Sequence, residues 1–311
     1  MLFFAPYYSC MPDRIHYTNC PVCHSTSLKP VLNAIDYTVS KESFAVWECQ
    51  ECTLRFTQDV PDSAHIGPYY KSEDYISHTN TSRGLINKIY QTVRHRTIRN
   101  KRRLIESTTG LSNGHLLDIG CGVGTFLHAM QESGWKVTGL EPDAEARQVA
   151  AQLYNLQVQE IEELEKLPAA TYDVITLWHV LEHVHQLHDY IERLKQLLKP
   201  GGTLLIAVPN YTSKDADTYG PYWAAYDVPR HLYHFSPASI DRLLAPHAMK
   251  VIAHKPMWYD SFYIALLSSK YKNGQSNWIG AAWQGLRSNL KASGDVRRCS
   301  SVIYLIRHTA Q

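Results

Sequence analysis

Between residues 115 and 133 an apolar run, a loop with glycine at every second position and a helix-patterned segment follow one another without a spacer. This order constrains the fold more than any other feature of the chain. His115-Leu-Leu-Asp-Ile119 is a short strand-like run. Asp118-Ile-Gly-Cys-Gly-Val-Gly124 turns sharply where a Cβ would obstruct it, and residues 125–133 have helical spacing that stops at Gly134. The alternation then repeats. Residues 136–141 read as a strand, 144–154 as a helix, 156–159 as a strand, and 172–178 as a strand apolar on both faces. A helix over 187–198 closes at Lys199-Pro-Gly-Gly202, and 203–208 form a fifth strand. This pattern predicts an α/β fold, a doubly wound parallel sheet. Two more strand-like runs, 249–254 and 301–306, flank an aromatic-rich insertion of the kind that covers a substrate.

In open α/β sheets a ligand sits at the carboxyl ends of the strands. The glycine spacing here is shorter than the Gly-x-Gly-x-x-Gly of dinucleotide sites. Asp118 stands directly before the loop, where a carboxylate would repel a pyrophosphate and attract a cation. S-adenosylmethionine, with its sulfonium and ammonium, is such a ligand. Glu141 closes the next strand, where an acid can accept hydrogen bonds from two ribose hydroxyls.

Leu116-Leu-Asp-Ile-Gly-Cys-Gly-Val-Gly124, Gly139-Leu-Glu-Pro-Asp143, Tyr172-Asp-Val-Ile-Thr-Leu-Trp-His-Val-Leu-Glu-His183 and Leu198-Lys-Pro-Gly-Gly-Thr203 resemble, in order, the motifs of class I S-adenosylmethionine-dependent methyltransferases. The resemblance spans about residues 111–210. It implies a Rossmann-like, seven-stranded methyltransferase sheet whose last strand, 301–306, runs antiparallel. It also implies that Asp118, Gly120, Gly122 and Gly124 line the methionine and sulfonium, with Trp178 beside them. Glu141 would hold the ribose, and Glu160-Ile161 would approach the adenine.

Methyl transfer asks the protein to position the acceptor, exclude water and, for a hydroxyl, help remove its proton. Histidine, with a reference pKa of about 6.5, suits the last task. His179, His183 and, farther on, His231 are the candidate catalytic residues. The segment Trp178–His183 is similar to that of quinone-pathway O-methyltransferases, in which Glu-x-x-Glu-His holds a divalent cation. Glu182 and His183 match, but His179 replaces the first Glu. Hard cations prefer oxygen ligands, so this departure argues against a magnesium-type ion. Glu182 and His183 equally suit a bracing role. A second cluster, Gly220 to Phe235, sets Asp227 and Arg230 among Tyr222 and Trp223, as small-molecule pockets do. Asp227 and Arg230 could instead pair to pin a loop. These four residues and Glu182 are the candidate substrate ligands.

Cys20-Pro-Val-Cys23 and Cys49-Gln-Glu-Cys52, 25 residues apart, have the spacing of a four-thiolate structural zinc ribbon. The expected organisation is a ribbon over 1–60, a connector with a basic helix over 61–110, and a methyltransferase domain over 111–311. The last would carry lids at about 211–235 and 257–298. No acid lies between Asp74 and Glu106, while Arg83, Lys88, Arg94, Arg96, Arg99, Lys101, Arg102 and Arg103 crowd the helix. Its plain reading is a solvated face packed by Ile86, Tyr90 and Val93. Contact with anionic lipid, hence peripheral membrane association, is the other.

Net charge +2 gives no global pull toward nucleic acid. No apolar run reaches the roughly 18 residues of a membrane span, and the N-terminus lacks the basic leader of a signal peptide. A cytoplasmic, S-adenosylmethionine-dependent methyltransferase is expected, acting on a hydroxyl of a quinone-like, phenolic, lipid or sugar-derived small molecule. The alternatives are an RNA methyltransferase gripping nucleic acid through ribbon and basic helix, and a non-catalytic docking module.

Overall fold

The computed structural model describes residues 13–71 and 85–309; the N-terminal residues weighed as a signal peptide and Arg83 lie outside them, as do the side chains of Ile86, Lys88 and Tyr90. Five strands come first: β1 (Arg14–Ile15), β2 (Leu28–Ile35), β3 (Ser43–Cys49), β4 (Arg55–Thr57) and β5 (Val60–Pro61). Helix α1 (Leu85–Thr109) leads to β6 (His115–Ile119), α2 (Thr125–Glu132), β7 (Lys136–Leu140), α3 (Ala144–Tyr154), β8 (Tyr172–Trp178), α4 (Leu187–Leu197) and β9 (Leu198–Pro209). The remainder is α5 (Lys214–Tyr219), β10 (Tyr233–His234), α6 (Pro237–Leu244), β11 (Met249–Pro256), α7 (Asp260–Asn273), α8 (Trp278–Ala292) and β12 (Ser301–His308).

The main sheet has the order β11-β12-β9-β8-β6-β7. Strands β7, β6, β8 and β9 are parallel, while β12 runs antiparallel to both β9 and β11. The third strand expected from the sequence contributes a single parallel bridge, Leu140 to Gln159. Only Leu156 is buried there, and Gln157, Gln159 and Glu160 face solvent, so little apolar surface holds a full edge strand. The sheet is thus the expected one with its outermost strand reduced to one pairing.

Neighbouring residues of the central strands feed opposite faces, as strand geometry requires. Leu116, Val174, Leu205 and Ile303 join Ile105 of α1, Phe126 and Met130 of α2 and Ala150 of α3. Leu117, Ile175, Leu204 and Tyr304 join Ile191 and Leu194 of α4, Ile240 of α6 and, continuously, Cys20, Cys49, Leu54 and Phe56 of the N-terminal segment. The N-terminal sheet has the order β10-β4-β3-β2, so a strand from beyond residue 230 completes it. Helix α1 packs through Ile98, Leu104 and the fully buried Ile105. Arg96, Arg99 and Arg103 are exposed, but Arg94 donates to Thr125, and Arg102 donates to Ser133 at 2.7 Å. The basic helix is therefore a solvated face over only part of its circumference.

Candidate active site

The parallel strands β6, β7 and β8 end side by side, and three acids or their neighbours emerge there. Asp118 is buried on β6 and accepts a hydrogen bond from Thr176 Oγ1 of β8 at 2.6 Å. Burial pushes its carboxyl up to about 7, against the pull of the Thr176 hydrogen bond and of Lys101. Gly122 has φ +55 and open space where a Cβ would point, so the loop is bare on that side. Gly124 has φ +73, and a Cβ there would lie 2.7 Å from Leu156 and 3.2 Å from Ala150, so its absence lets the start of α2 close on α3 and the residues after it. Glu141, next after β7, ties the loop down. Its Oε2 accepts from the Gly122 N–H at 2.7 Å and its Oε1 from the Asp143 N–H at 3.0 Å. Burial raises its pKa, against those two backbone donors. Glu160 is the more peripheral of the adenine candidates, pairing with Arg147 at 2.8 Å on the surface, while Ile161 beside it is half-buried.

Trp178 closes β8 edge-to-face with Phe126, ring centroids 5.7 Å apart. Lys101 Nζ, from α1, lies 4.0 Å from the Trp178 ring centre. Burial lowers this lysine to about 8, with Asp118 and Asp260 opposing. A cleft of about 250 Å³ opens beside it, lined by Thr97, Lys101 and Leu104 of α1 and by Met257, Trp258 and Asp260.

His179 has φ +60 and sits between two carboxylates: Asp260 at 2.9 Å from Nε2 and Glu182 at 3.4 Å from Nδ1. Burial works against its charge, but the two carboxylates prevail and hold the imidazole up at about 10. In that state it donates to Asp260 through Nε2, faces Glu182 as an ion pair through Nδ1, and has no lone pair to accept a proton. His183 is the opposite case: burial, helped by the nearby His231, brings it down to about 4.

Glu182 is fully buried on the short turn Leu181–His183; among the described residues neither carboxylate oxygen has a hydrogen-bond partner, and its contact with His179 is an ion pair at 3.4 Å. Glu182, His183 and His231 each offer a ligand atom within 4.8 Å of the others. His183 Nδ1 faces the Arg230 carbonyl at 2.9 Å, and His231 Nδ1 faces the Ala225 carbonyl at 2.9 Å. A carbonyl only accepts, so both Nδ1 atoms carry a proton, and in the neutral imidazole that leaves Nε2 as the atom able to bind a metal. That arrangement is how metal-ligating histidines are held.

The second cluster divides. Arg230 is buried and spends its donors on Asp227 at 3.0 and 2.7 Å, Asp36 at 2.8 Å and the Tyr69 carbonyl at 2.7 Å. It joins the N-terminal segment, the connector and the 220–235 loop, and the paired carboxylates hold its charge firmly. Trp223 is buried and donates to Asp215 at 2.8 Å, which also accepts from Ser288 and Ser300. Of the candidates in this run, Tyr222 is exposed and Asp227 lies beside His231, its Oδ2 3.9 Å from Nε2. Lys101 and Asp260 were not among the sequence candidates. Lys101 was hidden in a basic run, but Asp260 had a signal: it is the sole acid between Asp241 and Asp295.

At the N-terminal segment the four cysteine Sγ atoms converge within 4.8 Å, with Cys20–Cys52 at 3.4 Å and Cys23–Cys49 at 3.5 Å. The two turns are copies of each other. Cys20 N–H donates to Ser25 and His24 N–H to Cys20, as Cys49 N–H does to Leu54 and Thr53 N–H to Cys49. His24 and Thr53 take matching φ values of +60 and +61. Paired knuckles with converging sulfurs and no disulfide fit a tetrahedral metal.

The family model described as a methyltransferase domain matches residues 90–253. The ubiquinone biosynthesis O-methyltransferase of Sodalis glossinidius is 34% identical over 119 residues, covering 36% of this chain and 47% of that one. Its counterpart from Escherichia coli (strain K12 / DH10B) is 36% identical over 119 residues, with 36% and 49% covered. The chain therefore spans about half the length of these relatives. A SAM-dependent methyltransferase from Archaeoglobus fulgidus superposes with a TM-score of 0.45 at 20% identity, covering 68% of this chain and 93% of that one. The sheet order, the loop between β6 and α2, and the matched span define the class I S-adenosylmethionine-dependent methyltransferase fold. The chain belongs to this methyltransferase-domain family.

Proposed function

We propose that this chain transfers the methyl group of S-adenosylmethionine to a hydroxyl oxygen of a small-molecule acceptor held over a divalent-cation cradle. The observation that carries the acceptor half is Glu182: a fully buried carboxylate whose oxygens have no hydrogen-bond partner among the described residues, with His179 as its ion-pair partner at 3.4 Å and ligand atoms of His183 and His231 within 4.8 Å. A buried carboxylate needs cationic company; protonated His179 supplies part of it at 3.4 Å, and a divalent ion between Glu182, His183 and His231 would supply more. Two imidazoles and one carboxylate suit a first-row transition ion better than magnesium. Bound there, the ion would act as a Lewis acid that acidifies a coordinated hydroxyl.

The chain's own residues do the rest. Asp118 and the Gly120–Gly124 backbone receive the sulfonium end of the cofactor, and Glu141 receives the ribose. Trp178 and Phe126 form an apolar wall that keeps water from the reacting carbon. His179, kept protonated by Asp260 and Glu182, orients the Glu182 carboxylate and adds positive charge at the acceptor. The cleft between α1 and Met257–Asp260 admits the acceptor. Arg230 and Trp223 brace the loop that carries His231. Separately, Cys20, Cys23, Cys49 and Cys52 hold a structural zinc.

Elemental analysis tests the cradle. The wild type is expected to retain a transition ion in addition to zinc, and Glu182→Gln with His231→Ala to lose that ion alone. Methyl transfer should fall at least about 100-fold in that variant, within the range second- and first-sphere ligand losses produce. Full turnover of the double variant, or of the metal-stripped protein, would remove the cradle from the reaction.

A further inference from the structure

Helix α8 is built inside out. Ala281, Gly285, Ser288 and Ala292, spaced four, three and four, are buried against the rest of the fold. Gly285 packs so closely on α7 that a Cβ there would lie 2.6 Å from Phe262. The large apolar residues take the other side. Ile279 (86% exposed), Trp283 (62%), Leu286 (44%) and Leu290 (63%) repeat with the same spacing, and Trp278 (60%) lies next to the first of them. On an ordinary surface helix the large apolar residues point inward. Here the small ones do, and an unbroken apolar stripe faces out over three turns. Scattered exposed apolar residues need no explanation, but a contiguous stripe of this kind marks a contact surface.

Charge selects the occupant. From Ser261 to Gly294 the chain contains no acid, while Lys270, Lys272, Arg287 and Lys291 are all exposed. Two lysines lie at the end of α7 beside the start of α8, and Arg287 and Lys291 border the stripe itself. A second copy packed on the same stripe would set these cations against their own counterparts, with no acid in the 261–294 stretch to offset them. A surface carrying phosphates offsets all four. Tryptophan beside a long aliphatic stripe, rimmed by lysine and arginine, is the composition of a helix lying in the interface of a bilayer. Among the described residues no helix is long and apolar enough to cross a membrane, so the contact is with one face only.

We propose that α8 lies flat on an anionic lipid surface, with Ile279, Trp283, Leu286 and Leu290 in the acyl boundary and the four cations at the phosphates. This placement does not depend on the methyl-transfer reading. It does set α7, whose Asp260 grips His179, between the bilayer and the active site.

Co-sedimentation of the full chain with vesicles tests the proposal, using phosphatidylcholine alone and phosphatidylcholine mixed with phosphatidylglycerol. The chain is expected to pellet with the mixed vesicles, with a blue shift of tryptophan fluorescence, and to bind neutral vesicles far more weakly. Lys270→Glu with Lys272→Glu should weaken binding roughly ten-fold or more, and raised salt should do the same. Ile279→Ser with Trp283→Ser should abolish it while circular dichroism stays unchanged. Three results overturn the proposal: no pelleting of the wild type, binding indifferent to either pair of substitutions, or a wild-type dimer in sedimentation velocity that Trp283→Ser returns to monomer.

Discussion

Asp118 and Glu141 show how two buried carboxylates beside one loop take different tasks. Asp118 reaches only Thr176 among its hydrogen-bond donors, and burial holds it near 7. A cationic ligand favours the ionised form, so S-adenosylmethionine affinity should rise with pH through about 7 and binding below it should release a proton. Calorimetry at pH 6 and pH 8 in buffers of different ionisation enthalpy would read both, and a pH-independent affinity would speak against the Asp118 contact. The same raised pKa lowers fold stability as pH climbs from the ordinary carboxylate range toward 7, because the native state keeps a proton that the unfolded chain has released. Glu141 closes the Gly122 and Asp143 N–H groups. Glu141→Ala leaves both without a partner, at a cost of about 1–3 kcal/mol apiece where buried, and should reduce cofactor affinity at least ten-fold by the same measurement. Both residues were legible in the sequence because each is fixed by its distance along the chain from a strand end. Asp260 was not, since the imidazole it grips is 81 residues away and only the fold brings them together.

Among the elements, the first βα unit and the strongly apolar strand β8 were plain from periodicity, and the 156–159 strand failed because one buried leucine does not make a strand. The pairing of β10 with β4 was invisible to local pattern: Tyr233 and His234 are two residues in an aromatic run with nothing to name their partner. That pairing ties the cysteine segment to the active site. Thr57 Oγ1 donates to the His231 carbonyl at 2.7 Å, and Asp36 holds Arg230. If the four cysteines hold zinc, removing it should do more than unfold a remote appendage. Cys49→Ser with Cys52→Ser is expected to lose about one zinc per chain and, through β10, to lower turnover as well as thermal stability. Elemental analysis with a parallel activity assay checks this. Unchanged turnover in a zinc-free variant would mean that the ribbon is only a neighbour.

At the scale of the molecule, the two faces of the main sheet have different jobs. One is covered by α1, α2 and α3 and frames the cofactor loop; the other carries α4, α6 and the cysteine segment in one continuous core. A third cluster joins Phe44 and Val46 of the N-terminal segment to Trp223, Tyr226 and the inner faces of α7 and α8. Composition foretold none of this division, because it depends on which loop meets which strand. The basic helix illustrates the same limit. Its cations suggested nucleic acid when counted, yet Arg94 and Arg102 are bound to α2 and Lys101 is turned onto Trp178. A small molecule is therefore the expected acceptor. The direct test is to incubate the protein with methyl-labelled S-adenosylmethionine and whole-cell extract, then separate small molecules from RNA and protein before mass spectrometry. Label in the small-molecule fraction as an O-methyl group, lost with Glu141→Ala and with Glu182→Gln, is the expected result. Label confined to RNA or protein, or no transfer above the Glu141→Ala background, would contradict it.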